Sequence, residues 1–179
     1  MVFGERAGRR AAEQADKERE FPHKTVFQNH LRAFQSRLKE IFERKKEESS
    51  SRIREEMKAL MTSQVGIFRK ESALLAAKEK IKELKERFLE IGVKRIDLAF
   101  NYEFIQYWEL EGMLHLAEAM VEGALARKES RGSHFRVDYP NRDDEHWLRH
   151  TLAFKTAEGV NLNYKEVTIT SYPPKERTY

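Results

Sequence analysis

One stretch of this chain has the apolar spacing of an amphipathic helix over about five turns. Its apolar residues recur at alternating intervals of three and four, which places them on one face of a helix with 3.6 residues per turn. They are Leu74, Ala77, Ile81, Leu84, Phe88 and Ile91. Gly92 follows at once and is expected to end the helix. Such a face has to be buried against other elements, so the stretch predicts a helix in a packed core.

Neighbouring stretches have the same spacing. Asn101 can cap a helix whose stripe is Tyr107, Leu110, Leu114, Ala117, Val121 and Ala124, and Gly132 is expected to end that region. Earlier stripes are Ile53, Met57, Leu60 and Gln64, which follow capping serines at 49–51, and Phe27, Leu31, Phe34, Leu38 and Ile41. Three long helices with short connections predict a mainly α fold, an antiparallel three-helix bundle like a spectrin repeat, preceded by extra helices.

The helical period stops after Gly132. Asp143 or Asp144 can cap a short helix that reaches His150. Leu152 to Tyr164 then alternates in polarity on both sides of a four-residue turn that ends in Gly159. This pattern predicts a β-hairpin whose turn uses the positive φ that glycine tolerates. Pro173 and Pro174 predict an extended tail.

Composition excludes several classes of function. Cysteine is absent, which excludes disulfides, thiolate metal sites, cysteine nucleophiles and a cysteine-ligated iron–sulfur cluster in this chain. The net charge is +4, from 34 basic and 30 acidic residues that alternate along the helices, so nucleic-acid binding is not expected. No run approaches the roughly 20 apolar residues of a membrane span, and no apolar signal-peptide core is present. We therefore expect a cytoplasmic protein without direct membrane insertion.

The polar run from Arg127 to Thr151 holds residue types that can support catalysis or metal binding. Ser130, His134 and Asp138 are the residue types of a nucleophile triad, but no Gly-x-Ser-x-Gly elbow accompanies them. His146 and His150 are four residues apart beside Asp143 and could bind zinc. The glutamate that follows the first histidine in metalloproteases is missing. We expect structural roles in both cases.

Four arginines in the run could clamp a carboxylate or phosphate ligand. They are Arg131, Arg136, Arg142 and Arg149. Ion pairs within the fold are favoured instead, because the same run holds as many acids, namely Glu129, Asp138, Asp143 and Asp144. A second cluster, Tyr102, Phe104, Tyr107 and Trp108, could dock a partner, although core packing is the favoured interpretation.

The polar run also resembles a known family. Its string Glu-Ser-Arg-Gly-Ser-His-Phe-Arg-x-Asp-Tyr-Pro-x-Arg-Asp-Asp-Glu-x-Trp-x-x-His-Thr, residues 129–151, is similar to the C-terminal region of the flavoprotein subunit of succinate dehydrogenase and fumarate reductase. The resemblance extends to Val-Gly-Ile-Phe-Arg at 65–69, Val-Phe-Gly-x-x-Ala-Gly at 2–8 and Pro-Pro-x-x-Arg-x-Tyr at 173–179. It covers most of the chain except roughly residues 20–50.

The resemblance implies four segments. Residues 1–20 would be the remnant of a flavin-domain helix, 21–50 a variable amphipathic helix, 51–131 the three-helix bundle and 132–179 a tail with a short helix and a hairpin. The parent subunit would oxidise succinate to fumarate or the reverse, passing electrons through FAD to an iron–sulfur subunit. The dinucleotide fingerprint Gly-x-Gly-x-x-Gly and the capping domain are absent from this sequence.

We therefore expect no catalytic, cofactor-binding or metal-binding residue in this chain, and an inactive isolated chain that self-associates. The structural or interface candidates are Arg131, His134, Arg136, Asp138, Arg142, Asp143, Asp144, Trp147 and His150. The implied partners are the flavin domain of the same subunit and the iron–sulfur subunit, which would hold the protein at the inner face of the membrane. The same region of L-aspartate oxidase and a stand-alone helical interaction module are the alternatives. The Asp-Asp-Glu-His-Trp run and the Pro-Pro-x-x-Arg-x-Tyr motif at 173–179 favour the succinate dehydrogenase and fumarate reductase family over L-aspartate oxidase.

Overall fold

A computed structural model describes residues 2–17, 23–45, 47–97, 99–172 and 174–175. Residues 18–20 of the expected first segment and Pro173, Arg177 and Tyr179 of the C-terminal motif lie outside this description. The chain divides into two compact units, Met1–Ile41 and Phe42–Tyr179. Helix α1 (Val2–Lys17) and most of helix α2 (Lys24–Glu43) belong to the first unit.

The second unit is built on three helices that pack against one another. They are α3 (Ser50–Gln64), α4 (Glu71–Glu90) and α5 (Tyr102–Ala126). Lys78 pairs with Glu122 and Lys85 with Glu118, so α4 and α5 are antiparallel. Arg87 near the end of α4 pairs with Glu48 just before α3. Lys80 in the middle of α4 pairs with Glu56 in the middle of α3, so these two helices are antiparallel too. The predicted three-helix bundle is confirmed.

The predicted apolar stripes form its core. Buried side chains include Ile53, Met57, Leu74, Ala77, Ile81, Leu84, Phe88, Tyr107, Leu110, Leu114, Ala117, Val121 and Ala124. Because each helix presents one such stripe to the other two, the bundle buries apolar area that disfavours unfolding.

Helix starts follow the sequence more closely than helix ends. Ser49 and Asn101 cap α3 and α5 as predicted, with the Asn101 side chain accepting from the Phe104 amide at 2.9 Å. However, α4 ends at Glu90, where Ile91 is extended and bridges to Lys45. Helix α5 ends at Ala126, well before Gly132, which lies in a turn at φ +60°. The stop expected at Gly92 is therefore correct to within one residue, since Gly92 directly follows the C-cap of α4, whereas the stop expected at Gly132 is wrong.

Short strands complete the second unit. Strand β1 (Phe68–Arg69) lies between α3 and α4 and pairs in parallel with β2 (Phe135–Arg136). Helix α6 is Asp144–Trp147, and β3 (Arg149–Thr156) pairs antiparallel with β4 (Gly159–Glu166). The predicted hairpin is confirmed, with φ +128° at its turn glycine. The predicted reach of the short helix to His150 is wrong, because His150 lies in β3 opposite Lys165.

Candidate functional site

Arg136 is completely buried, and its guanidinium joins two kinds of partner. Nε and Nη2 donate to the two carboxylate oxygens of Asp138, each at 2.8 Å. Nη1 donates to the backbone carbonyls of Ala124 at 2.8 Å and Leu125 at 3.2 Å. These carbonyls belong to the last turn of α5, where the helix dipole favours a cation. Arg136 thus satisfies the end of α5 while holding a carboxylate.

Asp138 links its ion pair with Arg136 to helix α4. Its second oxygen accepts from the backbone amide of Glu71, the first residue of α4, at 2.9 Å. An anion is favoured at a helix N-terminus because of the free amides and the helix dipole. The Arg136 guanidinium holds the pKa of Asp138 well below its usual range, and the Glu71 amide lowers it further. One ion pair therefore ties the start of α4 to the end of α5.

Arg69 and His134 hold the end of the third helix. Arg69 Nε donates to the carbonyls of Gly66 at 2.7 Å and Val65 at 3.2 Å, just beyond α3. Its Nη1 lies 2.6 Å from Nδ1 of His134, whose Nε2 lies 3.2 Å from the Arg127 carbonyl. Arginine can only donate, so Nδ1 accepts and Nε2 carries the proton. Burial lowers the pKa of His134, and the neighbouring arginines lower it further.

Glu129 is also fully buried, and several residues of the polar run donate hydrogen bonds to its carboxylate. Its carboxylate accepts from Arg127, from Arg131 at two positions 2.9 Å away, and from the Asp143 amide at 2.9 Å. Burial raises the pKa of Glu129, but the hydrogen bonds from Arg131, the Asp143 amide and Arg127 outweigh it, and the net pKa is lowered. Arg131 also pairs with Asp144 at 2.7 Å.

Two further arginines attach the hairpin. Arg127 donates to the carbonyls of Trp147 at 2.9 Å and Arg149 at 2.7 Å, and to the Thr151 hydroxyl at 3.1 Å. The Arg149 guanidinium lies 3.9 Å from the ring centre of Tyr164 and 4.6 Å from that of Trp147. Its buried Nε has no hydrogen-bond partner among the described residues. Arg149 therefore stacks on aromatic rings, as a planar guanidinium can.

We call the residues in these contacts the charged cluster: Arg69, Arg127, Glu129, Arg131, His134, Arg136, Asp138, Arg142, Asp144 and Arg149. Arg142 belongs to it through Asp144, at 2.9 Å. The cluster lies where α3 ends, α4 begins and α5 ends, which is one end of the bundle. Its cations are held mainly by carboxylates, carbonyls and rings of the same chain.

The arrangement does not form a nucleophile triad. The Ser130 hydroxyl donates to the Tyr139 carbonyl at 2.8 Å and accepts from the Arg136 amide at 2.9 Å. The His134 ring contacts Arg69, and Asp138 contacts Arg136, so the three side chains are not linked in series. A triad needs that series to transfer the serine proton.

The zinc interpretation fails on position. His146 in α6 contacts the Asp143 carboxylate at 3.0 Å, whereas His150 lies in β3, so the two histidines do not share a helix face. Across the ranges that the structure describes, no group of three or more potential histidine or carboxylate ligands could hold a metal ion. In the same ranges, no helix combines the length and apolar character needed to cross a membrane.

Comparison with known proteins places this geometry in a family. The family described as fumarate reductase flavoprotein C-term matches residues 54–179, which include the whole charged cluster. The chain belongs to this family. The fumarate reductase flavoprotein subunit of Mycobacterium tuberculosis is 41% identical over 184 residues, covering all of this chain and 32% of that protein. The succinate dehydrogenase flavoprotein subunit of Rickettsia bellii is 35% identical over 187 residues, covering all of this chain and 31% of that protein.

Comparison with solved structures supports the same family. A structure of E. coli quinol fumarate reductase superposes with a TM-score of 0.91 at 35% identity, covering 98% of this chain and 30% of that chain. This chain therefore spans about a third of the length of the curated relatives it matches. It matches the C-terminal domain of succinate dehydrogenase and fumarate reductase flavoprotein subunits, and the resemblance seen in the sequence is confirmed.

Four members of the charged cluster were not among the structural or interface candidates. They are Arg69, Arg127, Glu129 and Arg149. The sequence predicts Glu129 only as an ion-pair partner of the arginines, which its pair with Arg131 confirms, and Arg149 only as a possible clamp. A basic residue shortly after a helix can donate hydrogen bonds to the carbonyls at its end. The position of Arg69 shortly after Gly66 could therefore have indicated this role. No periodicity marks Glu129, because its burial depends on the turn that brings Asp143 back to it.

The aromatic group at the start of α5 is buried only in part. Tyr107 is a core residue that stacks on Phe88 at 4.6 Å between ring centres, and its hydroxyl accepts from Arg44 at 2.9 Å. Phe104 lies at 6.0 Å from Phe42, while Tyr102 is 73% exposed. The favoured core interpretation therefore holds for Tyr107 and not for Tyr102.

Proposed function

We propose that this chain is the structural C-terminal part of a flavoprotein subunit that interconverts succinate and fumarate. FAD would be held by a part of the subunit outside these residues, and electrons would pass to an iron–sulfur subunit. The observation that carries the proposal is 41% identity, along the full chain, to a fumarate reductase flavoprotein subunit.

The residues present do not fit a FAD site. The eight glycines include no Gly-x-Gly-x-x-Gly, which the backbone needs in order to approach a pyrophosphate closely. The two fully buried charged residues of the described ranges, Glu129 and Arg136, are bonded within the chain. The charged cluster therefore supports a bracing role, in which it holds three helix ends in a fixed geometry for a neighbouring flavin domain.

The same bracing role fits the implied assembly. A domain that docks on a flavin domain presents exposed apolar residues, and large ones such as Leu116 and Met120 are exposed here. The isolated chain is expected to self-associate through such surfaces. In the parent, contact with an iron–sulfur subunit would place the domain at the inner face of the membrane through its partners.

A graft tests the proposal. The segment of the M. tuberculosis fumarate reductase flavoprotein subunit that matches this chain is replaced by this chain, and flavin content and fumarate-dependent oxidation of a reduced dye are measured. We expect the graft to bind flavin and to turn over, and the isolated chain to do neither. A yellow isolated chain with succinate-dependent dye reduction, or a folded graft without flavin, would contradict the proposal.

A further inference from the structure

Helix α5 has apolar residues on a second face, away from the bundle core. We call this face the outer stripe: Ile105, Trp108, Leu116 and Met120, which are 47%, 36%, 67% and 52% exposed. Their spacing of three, eight and four places them along one side of the helix. The opposite side supplies Tyr107 to Ala124 to the core, so α5 has two apolar faces. Acidic residues flank these faces, such as Glu109, Glu118 and Glu122. An exposed apolar face of this kind is typical of an interaction surface.

The outer stripe leads into a groove with a cationic wall. The groove has a volume of about 240 Å³ and is lined by Met120, Gly123, Ala124 and Thr151, with Arg69, Arg127 and His134. Met120 belongs to both features, so stripe and groove form one continuous surface. The surface therefore joins an apolar contact area to a positively charged end.

Arg69 is the cation in this groove that the fold leaves without an acidic partner. It donates hydrogen bonds to two carbonyls and to the neutral ring of His134, and no ion pair to it occurs within the described residues. Burial lowers its pKa, which is the response of a guanidinium that lacks a nearby carboxylate. A partly buried cation is costly unless an anion pairs with it.

We infer that the outer stripe and its groove are the surface on which the remaining part of a flavoprotein subunit docks, and that this part places a carboxylate against Arg69. The inference rests on the proposed function. The occupant follows from length, since this chain covers only 32% of the M. tuberculosis subunit while aligning along its own full length. Charge complementarity supplies the second argument, because the groove offers a cation without a counter-ion.

Hydroxyl-radical footprinting of the same graft tests the surface. Leu116 and Met120 should be oxidised readily in the dilute isolated chain and, in the graft, should fall to the level of buried Leu110. Leu75 and Leu89, which are exposed on α4, are the matched controls and should label equally in both. Equal labelling of Met120 in graft and isolated chain would overturn the inference. A graft that sediments as a dimer and loses the protection of Met120 on dilution would assign the stripe to a second copy and would also overturn the inference.

A substitution at Arg69 tests whether the docked part places a carboxylate against it. In the graft, Arg69→Gln should restore oxidation of Met120, because the docked part loses its ion pair, and Arg69→Lys should retain most of the protection. Arg142→Gln is the matched control, since Arg142 pairs with Asp144 within this chain. If Arg69→Gln leaves Met120 as protected as Arg142→Gln does, the carboxylate assignment is wrong. Flavin content of the unsubstituted graft judges the proposed function separately.

Discussion

Arg136→Gln should remove a large share of the stability of the second unit. Breaking a buried ion pair by removing one partner typically costs about 3–5 kcal/mol. Asp138 keeps 29% of its side chain exposed and retains the Glu71 amide, so the lower end of that range applies. Losing the contacts to the α5 carbonyls adds about 1 kcal/mol. We expect a loss of roughly 3–4 kcal/mol, out of the roughly 5–15 kcal/mol that a folded domain possesses.

The assay is urea unfolding followed by far-ultraviolet circular dichroism. Arg142→Gln is the matched control, because its ion pair with Asp144 is one-third exposed and should contribute about 0–1 kcal/mol. Arg136→Lys, which keeps the charge and loses the two-pronged contact, should lie between them and remains measurable if Arg136→Gln does not fold. A loss for Arg136→Gln no greater than that for Arg142→Gln would refute the reasoning.

The pH dependence of the same variant supplies a second readout. Arg136 lowers the pKa of Asp138 in the folded state, so the carboxylate contributes stability above its ordinary pKa of about 3.9. That contribution is lost as the pH falls below this value. Arg136→Gln should therefore flatten the acid limb of the urea midpoint relative to the unsubstituted chain.

Three further predictions concern other parts of the second unit. Glu129→Gln should cost about 3 kcal/mol in urea unfolding, because it leaves two guanidinium groups around a neutral buried amide; a loss under 1 kcal/mol would contradict this. Asn101→Ala should cost about 1–2 kcal/mol by removing the cap on the Phe104 amide, and Asn101→Asp should recover part of it in the same assay. Burial lowers the pKa of His134, so the unfolded chain takes up a proton first, and stability should fall as the pH drops below about 6.5. His134→Gln should reduce that slope of the urea midpoint between about pH 7.5 and 5, and an unchanged slope would contradict this.

The bundle could be predicted from the sequence because its information is local. Each stripe repeats within a few turns, and caps such as Asn101 act on residues three positions away. The hairpin could also be predicted, since its strands alternate between apolar and polar residues on either side of a glycine turn. The family resemblance depended on the polar run, whose order of charges is not required by any helix or strand.

The charged cluster could be predicted only in part because its contacts are not local. Arg69 and His134 are 65 positions apart, and the parallel pairing of β1 with β2 brings them together. Hydrophobic periodicity contains no information about such pairings. The same limit explains the misplaced end of α5, where the last carbonyls are bonded by Arg136 from beyond the helix rather than by a glycine turn.

The position of the charged cluster at one end of the bundle makes the two ends unequal. At the cluster end, Arg69, Asp138 and Arg136 bind a terminus of α3, α4 and α5 respectively. At the other end, α5 starts at the Asn101 cap, whose side-chain amide also donates to the Arg95 and Asp97 carbonyls, beside Phe100, a non-glycine residue at φ +51°. Local opening should therefore begin there, since it breaks neither of the ion pairs of the fully buried Glu129 and Arg136. Amide protons in the first turns of α5 should exchange with solvent through such openings, and those near Val121 only when the whole unit unfolds.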